Sequence, residues 1–407
     1  MFNAHKIRDM FPIYRLYPDL AYLDNSATSL KPQVVLDKMN EYYTRYGVNI
    51  HRGVYHLSHK ATEEYDQARQ TVANFINCDF SELVFTRNAS NALNMVALMY
   101  GERNIKAGDV IITSELEHHS SFLPWLKLSK RKGAELRFVP LNHDGRITVE
   151  NFKKIMDDKV KVVALTYISN VLGYVTPIKE IIALAHQHGA IVIVDAAQAA
   201  PHMKIDVRDL DCDFLAFSAH KMLGPTGIGA LYGKKRLLED LDPLEYGGDM
   251  NNSVSKDEIT FKDTPFRFET GTPPIAEALG FARAVELVNA IGLKEIARHG
   301  QMLHKRALEL LAGIPGLIIY NPGADIPIIS FNIEGIHPHD AATFFDENNI
   351  CLRAGHHCAQ LVSKWLECAG TLRASFYIYN DYHDVEKFAM TVKEAVSFFK
   401  KMTGDVK

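Results

Sequence analysis

Residues 160–198 read VKVVALTYISNVLGYVTPIKEIIALAHQHGAIVIVDAAQ, and this stretch decides the fold. The runs Val160–Tyr167 and Ala190–Asp195 are almost continuously apolar, as strands buried on both faces of a sheet must be. Between them Thr176-Pro177 opens a helix that Gly189 closes, with proline at the first helical position and glycine just past the end. Strand, helix, strand over this length is a crossover unit, which implies parallel strands.

The same rhythm extends outward. Further β-rich runs stand at Leu83–Thr86, Val110–Ser114, Leu136–Val139, Asp213–Ser218 and Ile228–Tyr232. The expectation is an α/β chain whose large domain, residues 21–290, holds a mainly parallel seven-stranded sheet between helices. After about residue 290 the pattern changes. A helical stretch Leu293–Leu311 leads to a strand at Ile328–Ile333, a helix at Asp340–Glu347, a strand near Ser375–Tyr379 and an amphipathic helix at Asp384–Lys400. This predicts a smaller α/β domain of residues 291–407, with residues 1–20 packed against it. Two domains suit 407 residues, too many for one compact core.

Composition excludes several classes. A hydrophobic fraction of 47% and a charged fraction of 23% are those of an ordinary globular chain. A net charge of -4 gives no reason to expect nucleic acid or an anionic membrane as partner. The apolar run ending at Ala197 is broken by Asp195 and falls far short of the roughly 20 residues that span a bilayer. The start, MFNAHKIRDMFPIY, has no apolar segment followed by a small-residue cleavage site, so no secretory signal is expected. The five cysteines, Cys78, Cys212, Cys351, Cys358 and Cys368, are odd in number and contain no Cys-x-x-Cys pair. That fits a reducing cytoplasm and leaves room for one reactive thiol.

Five segments carry the chemistry. In Ser218-Ala219-His220-Lys221-Met222-Leu223-Gly224 a lysine follows an apolar strand, where sheets of this type bind ligands. Burial there favours the unprotonated amine that carbonyl chemistry needs. A surface lysine in a loop would look the same in isolation. Asp195 ends its apolar strand, and a carboxylate there is costly unless paired. A protonated pyridine nitrogen, as in pyridoxal 5′-phosphate (PLP), is such a partner and keeps the ring an electron sink. Gln198 can donate to that cofactor's phenolic oxygen, although Asp195 could also serve as a simple helix cap. His118, in Glu117-His118-His119, could stack on a flat ring and move protons near pH 7. The helix opening at Ala89-Ser90-Asn91 offers backbone amides and a hydroxyl for a phosphate. Finally, Arg353-Ala354-Gly355-His356-His357-Cys358 sets a thiol among cationic and imidazole groups, on a loop that Gly355 can bend. A His-His-Cys zinc site is disfavoured, because no second cysteine stands at finger spacing, and no metal is expected.

Together these residues resemble the fold type I PLP enzymes, aspartate aminotransferase-like in fold, and more narrowly the class V aminotransferase-like cysteine desulfurases. The resemblance runs from Leu23-Asp24-Asn25-Ser26-Ala27 to the final helix. The thiol segment is similar to the Arg-x-Gly-His-His-Cys motif of group II cysteine desulfurases of the SUF iron–sulfur assembly system. It implies Lys221 bonded to the cofactor, Asp195 on the pyridine nitrogen, Gln198 on the phenolate and His118 stacked on the ring. It implies phosphate contacts from Ala89, Ser90, Ser218 and His220, and from Thr272 across a homodimer interface. Arg373 and Asn170 would hold the substrate carboxylate. Arg353 and Ala27 would line the substrate site, and His51 would approach the partner subunit's site. The implied reaction converts L-cysteine to L-alanine. Lys221 takes the Cα proton, Cys358 attacks the substrate sulfur and keeps it as a persulfide, and His118 carries protons. A SUF-type acceptor protein would then take the sulfur. Selenocysteine lyase is an alternative that Cys358 does not exclude, and a non-catalytic PLP-binding scaffold is another.

Overall fold

The computed structural model describes residues 4–404; the outermost residues of the expected N- and C-terminal segments, 1–3 and 405–407, lie outside the described residues. Seven strands form the main sheet: β1 (Leu83–Thr86), β2 (Val110–Thr113), β3 (Glu135–Phe138), β4 (Val160–Thr166), β5 (Ile191–Asp195), β6 (Phe214–Ser218) and β7 (Gly229–Gly233). Their order is β1-β7-β6-β5-β4-β2-β3. The five strands from β6 to β3 run parallel, while β7 is antiparallel to both of its neighbours. Apolar side chains leave β4 on both faces: Val163 and Leu165 join one core cluster, Val162 and Ala164 another. A strand with no wet face has no use for alternation, which is why the 160–167 run reads as continuous apolar sequence.

Helices α1 (Ala89–Val96), α2 (His119–Lys132) and α3 (Ile178–Gln187) connect the strands. Pro177 stands just before α3, and Gly189 follows its end at φ +71°, a conformation glycine adopts without strain. Because β2, β4, β5 and β6 are parallel, the residues that follow them all emerge at one edge, where such sheets bind ligands.

A second, four-stranded antiparallel sheet comprises β8 (Leu317–Ile319), β9 (Ile328–Ile333), β10 (Arg353–Gly355) and β11 (Thr371–Ser375), in the order β8-β9-β11-β10. Helices α4 (Leu293–Leu311), α5 (Pro338–Glu347) and α6 (Tyr382–Gly404) accompany it. The chain's start joins this part: Ala21–Tyr22 pairs in parallel with Ile350–Cys351, and the Arg8 guanidinium meets Asp384 at 2.9 Å. The strand expected near Ser375–Tyr379 lies earlier, at Thr371–Ser375. Phe376 turns out of the sheet to donate to the Pro327 carbonyl, and the Asn380 side chain accepts from the Tyr377 N–H at 2.8 Å. Tyr377 and Tyr379 are buried aromatics of a turn, not of a strand. Among the described residues no helix is long and apolar enough to cross a membrane.

Gly229 shows how tightly the site edge is packed. A Cβ there would lie 2.7 Å from both the Asn88 Cα and the Phe217 carbonyl oxygen, backbone atoms that cannot rotate away. We predict that Gly229→Ala destabilises the protein by about 1–3 kcal/mol. A thermal midpoint equal to wild type would refute this packing argument.

Candidate active site

The ends of β2, β4, β5 and β6, the start of α1 and the loop after β10 enclose a cavity of about 220 Å³. Lys221 lines it from a single turn directly after β6. Loss of water lowers its ammonium to about 8, with Asp195 pulling the other way and Arg373 and Arg353 adding to the depression. The unprotonated amine therefore comes within reach near neutral pH.

Asp195 is the last residue of β5 and is buried. Among the described residues its carboxylate takes one side-chain hydrogen bond, from the Ala197 N–H at 2.9 Å. Burial raises its pKa, against that bond and the Lys221 charge. Gln198 also lines the cavity and donates from Nε2 to the Ser26 carbonyl at 2.8 Å.

At the α1 end the Ala89 N–H donates to Ser218 Oγ at 2.8 Å, and Ser90 Oγ lies 2.6 Å from Ser120 Oγ. Ala89, Ser90, Ser120, Ser218 and His220 all face the cavity. Hydroxyls at a helix start suit a phosphate. An under-bonded buried carboxylate suits a ring N–H⁺, and a lysine suits an aldehyde. The donor set thus fits PLP, which makes the substrate's Cα an electron-poor centre when bound.

His118 caps α2 with its own imidazole, Nδ1 accepting from the Ser120 N–H at 3.1 Å. Burial first, then the Lys221 charge, lower it to about 3. The ring is thus neutral near pH 7 in this state, with its hydrogen on Nε2, rather than titrating there as its sequence position alone suggests. Glu117, the residue before it, is buried: Oε1 accepts from Ser114 Oγ at 2.7 Å and from the Thr166 N–H at 3.0 Å. Burial raises Glu117 to about 7.

The thiol stands opposite. After Gly355, at φ +113°, His357 and Cys358 both take left-handed backbone, at φ +53° and +55°. Such residues cost roughly 1–2 kcal/mol each outside glycine, and the loop is held by several bonds. The His119 N–H donates to the Cys358 carbonyl at 2.7 Å, the Gln360 N–H to His119 Nε2 at 3.1 Å, and Asn170 Nδ2 to the His357 carbonyl at 2.8 Å. The two imidazoles diverge: buried His357 bonds Thr371 at 2.8 Å, while exposed His356 meets Ser363 at 3.0 Å. The result is an exposed Cys358 that lines the Lys221 cavity. Cys78 and Cys212 are buried, and burial pushes both of those thiols up.

Arg373, on β11, is buried; Nη1 donates to the Asn170 carbonyl at 2.7 Å, and Nε has no partner. Burial lowers it to about 10. Arg353, Asn170 and Ala27 line the same cavity. His51 and Thr272 do not. His51 packs edge-on against Tyr65 and Phe266, and exposed Thr272 borders a separate hollow with Tyr65 and Glu269. Glu117, Ser120, His119, His357 and Asp24 are site-supporting residues that sequence reasoning passed over. Glu117 and His119 flank His118, and Asp24 lies within the segment Leu23–Ala27, so their positions were visible although their contacts were not.

The pattern of the Aminotransferase class-V family matches residues 21–388. A protein of Halalkalibacterium halodurans named "Probable cysteine desulfurase" is 46% identical over 401 residues, covering 98% of this chain and 99% of that one. A Staphylococcus aureus protein of the same name is 48% identical over 404 residues, covering 98% of each. Among solved structures, the apo cysteine desulfurase of Thermococcus onnurineus NA1 superposes with a TM-score of 0.93 at 41% identity, covering 98% of this chain and 99% of its own. The cysteine desulfurase CsdA of Escherichia coli, in its S-sulfonic acid form, gives 0.92 at 36% identity, covering 98% and 99%. The chain belongs to the class-V aminotransferase family. It is an enzyme, and its cofactor is pyridoxal 5′-phosphate.

Glu117 yields a pH test. Its folded pKa of about 7 exceeds the ordinary 4.5, so folding takes up a proton between those values. Stability from this group is complete below about 4.5 and is lost as pH rises to about 7, by about 3 kcal/mol. Glu117→Gln should therefore gain stability relative to wild type over that window and hold a constant difference above it. Parallel stability–pH curves for the two proteins would show that Glu117 is ionised in the fold.

Proposed function

We propose that this protein is a cysteine desulfurase that converts L-cysteine to L-alanine and keeps the sulfur on Cys358. The observation that carries this reading is one cavity shared by an amine near neutrality, Lys221, a buried guanidinium, Arg373, and a thiol held by its backbone, Cys358. The names of the full-length relatives agree with it.

In this reading Asp195, Gln198, His118 and the Ala89–Ser90 turn, with Ser218 and His220, hold the cofactor, and Lys221 bonds it. Arg373 and Asn170 hold the substrate carboxylate, and Arg353 and Ala27 border it. The Lys221 amine, released when the substrate's own amine takes its place on the cofactor, would take the substrate's Cα proton. Cys358 Sγ, as thiolate, bonds the substrate sulfur as the Cβ–S bond breaks, and the bonding pair returns to carbon. The proton taken by Lys221 and the one released by the Cys358 thiol return to the two carbons of the product, with His118 relaying the latter. The balance is L-cysteine plus Cys358 thiol giving L-alanine plus Cys358 persulfide. Cys358 is exposed, so a second protein can reach the persulfide, and we take the acceptor to belong to a SUF-type iron–sulfur assembly system. Thr272 and His51 stand outside their own chain's cavity, which fits a homodimer in which each chain completes the other's site. Residues 21–290 form the cofactor-binding part in this reading, and 1–20 with 291–407 carry the cysteine loop. A reducing cytoplasm suits the free thiols.

Cys358→Ala is expected to keep the cofactor's absorbance and to lose sulfide release. Mass spectrometry of wild type after L-cysteine should place one added sulfur on Cys358. Undiminished sulfide from Cys358→Ala would defeat the persulfide route. Arg373→Ala should raise KM for L-cysteine roughly 10- to 100-fold, the equivalent of one charged hydrogen bond of about 1.5–3 kcal/mol. An unchanged KM would place the carboxylate elsewhere.

A further inference from the structure

The carboxylate end of the cavity carries two guanidinium groups, yet the proposed substrate brings one carboxylate. Asp24 sits behind them. Its Oδ1 accepts from Arg373 Nη2 at 3.3 Å and its Oδ2 from Arg353 Nη1 at 3.5 Å. It does not line the cavity itself, so it supports the arginines without competing for the ligand's place. It is also fixed relative to Arg373. The Ser375 N–H donates to the Leu23 carbonyl at 2.7 Å and the Ser26 N–H to Ser375 Oγ at 2.9 Å, which laces residues 23–26 to the end of the strand that bears Arg373. Burial raises the Asp24 carboxyl, and the two guanidiniums pull against that rise.

We propose that Asp24 is a specificity-determining residue of this site: by bridging Arg353 and Arg373 it cancels one of their two charges and matches the pocket to amino acids with a single carboxylate. The inference rests on the assignment of Arg373 and Arg353 to the substrate carboxylate. Removing the Asp24 charge leaves an unbalanced cation beside the cavity, shared by buried Arg373 and exposed Arg353, and a ligand with a second negative group gains most from that.

The test compares two ligands on the PLP-loaded protein. L-Alanine carries one carboxylate, and L-cysteate carries a carboxylate and a sulfonate. Their dissociation constants are read by titrating the cofactor absorbance, which needs no turnover. In Asp24→Asn the ratio of the cysteate constant to the alanine constant should fall about three- to tenfold. Asp24→Glu, which restores the charge, should return the ratio to within twofold of wild type, a rescue that a purely structural role would not follow. Asp24→Ser is read in the same way if the asparagine variant does not fold. A ratio that holds within twofold or rises in the uncharged variants overturns the inference, as does an equal fall in the glutamate variant. Failure of the desulfurase reading would show separately, as intact ligand binding without sulfide release from L-cysteine.

Discussion

A carboxylate at the end of a strand with no wet face is the constraint from which the site follows. Asp195 has lost its water and takes one side-chain hydrogen bond in return. Such a group either neutralises itself or finds a cation. Lys221 supplies part of that charge from across the cavity, and Asp195 in turn raises the lysine's proton affinity against the burial that lowers it. A ring nitrogen that binds a proton beside Asp195 satisfies the carboxylate and frees the lysine to act as an amine. In the proposed reading the two functional groups would therefore act on each other through the cofactor.

The second requirement is to set a thiol against that amine although the two come from different sheets. Asn170 is the joint. Its backbone carbonyl accepts from Arg373 and its side chain donates to the His357 carbonyl, so this residue, in the loop after β4, ties β11 to the cysteine loop. His119, at the start of α2, adds two more ties, one through its backbone and one through its ring. Two consecutive left-handed residues would not persist on an untethered loop. Here bonds to Cys358 and its neighbours on either side over-determine the backbone while leaving the Cys358 side chain exposed.

What the sequence displays follows from the same physics. The main strands were legible because burial on both faces forces apolar runs. Asp195 was legible because it interrupts one, and Lys221 because it ends another. Strand β10 was not: it has three residues, the first of them an exposed arginine, and it exists only because β11 lies beside it. The helix Ile275–Ile291 escaped because its first half, Ile275–Ala282, is buried at every position but Glu277, and its exposed polar positions, Arg283, Glu286 and Asn289, come only in the second half. Cys358 was readable from its own neighbours along the chain. Asp24, Glu117 and the His119 ties were not, because what makes them matter is contact with residues tens to hundreds of positions away.

The charges of the cavity arrange themselves in two groups, and this division explains why one site can handle both a cofactor and a small zwitterion. Asp195 and the hydroxyl-lined start of α1 face the cofactor's needs, one cationic and one anionic. Asp24, Arg353 and Arg373 form a separate triad with one surplus positive charge, and Cys358 lines the same cavity. Lys221 shares the cavity with both groups and feels both: Asp195 raises its proton affinity, the arginines lower it. An anionic ligand settling on Arg373 would therefore offset one of the charges that lower the lysine's proton affinity and make its amine the stronger base. In the proposed reaction, substrate binding and proton transfer would then be coupled in the favourable direction by electrostatics.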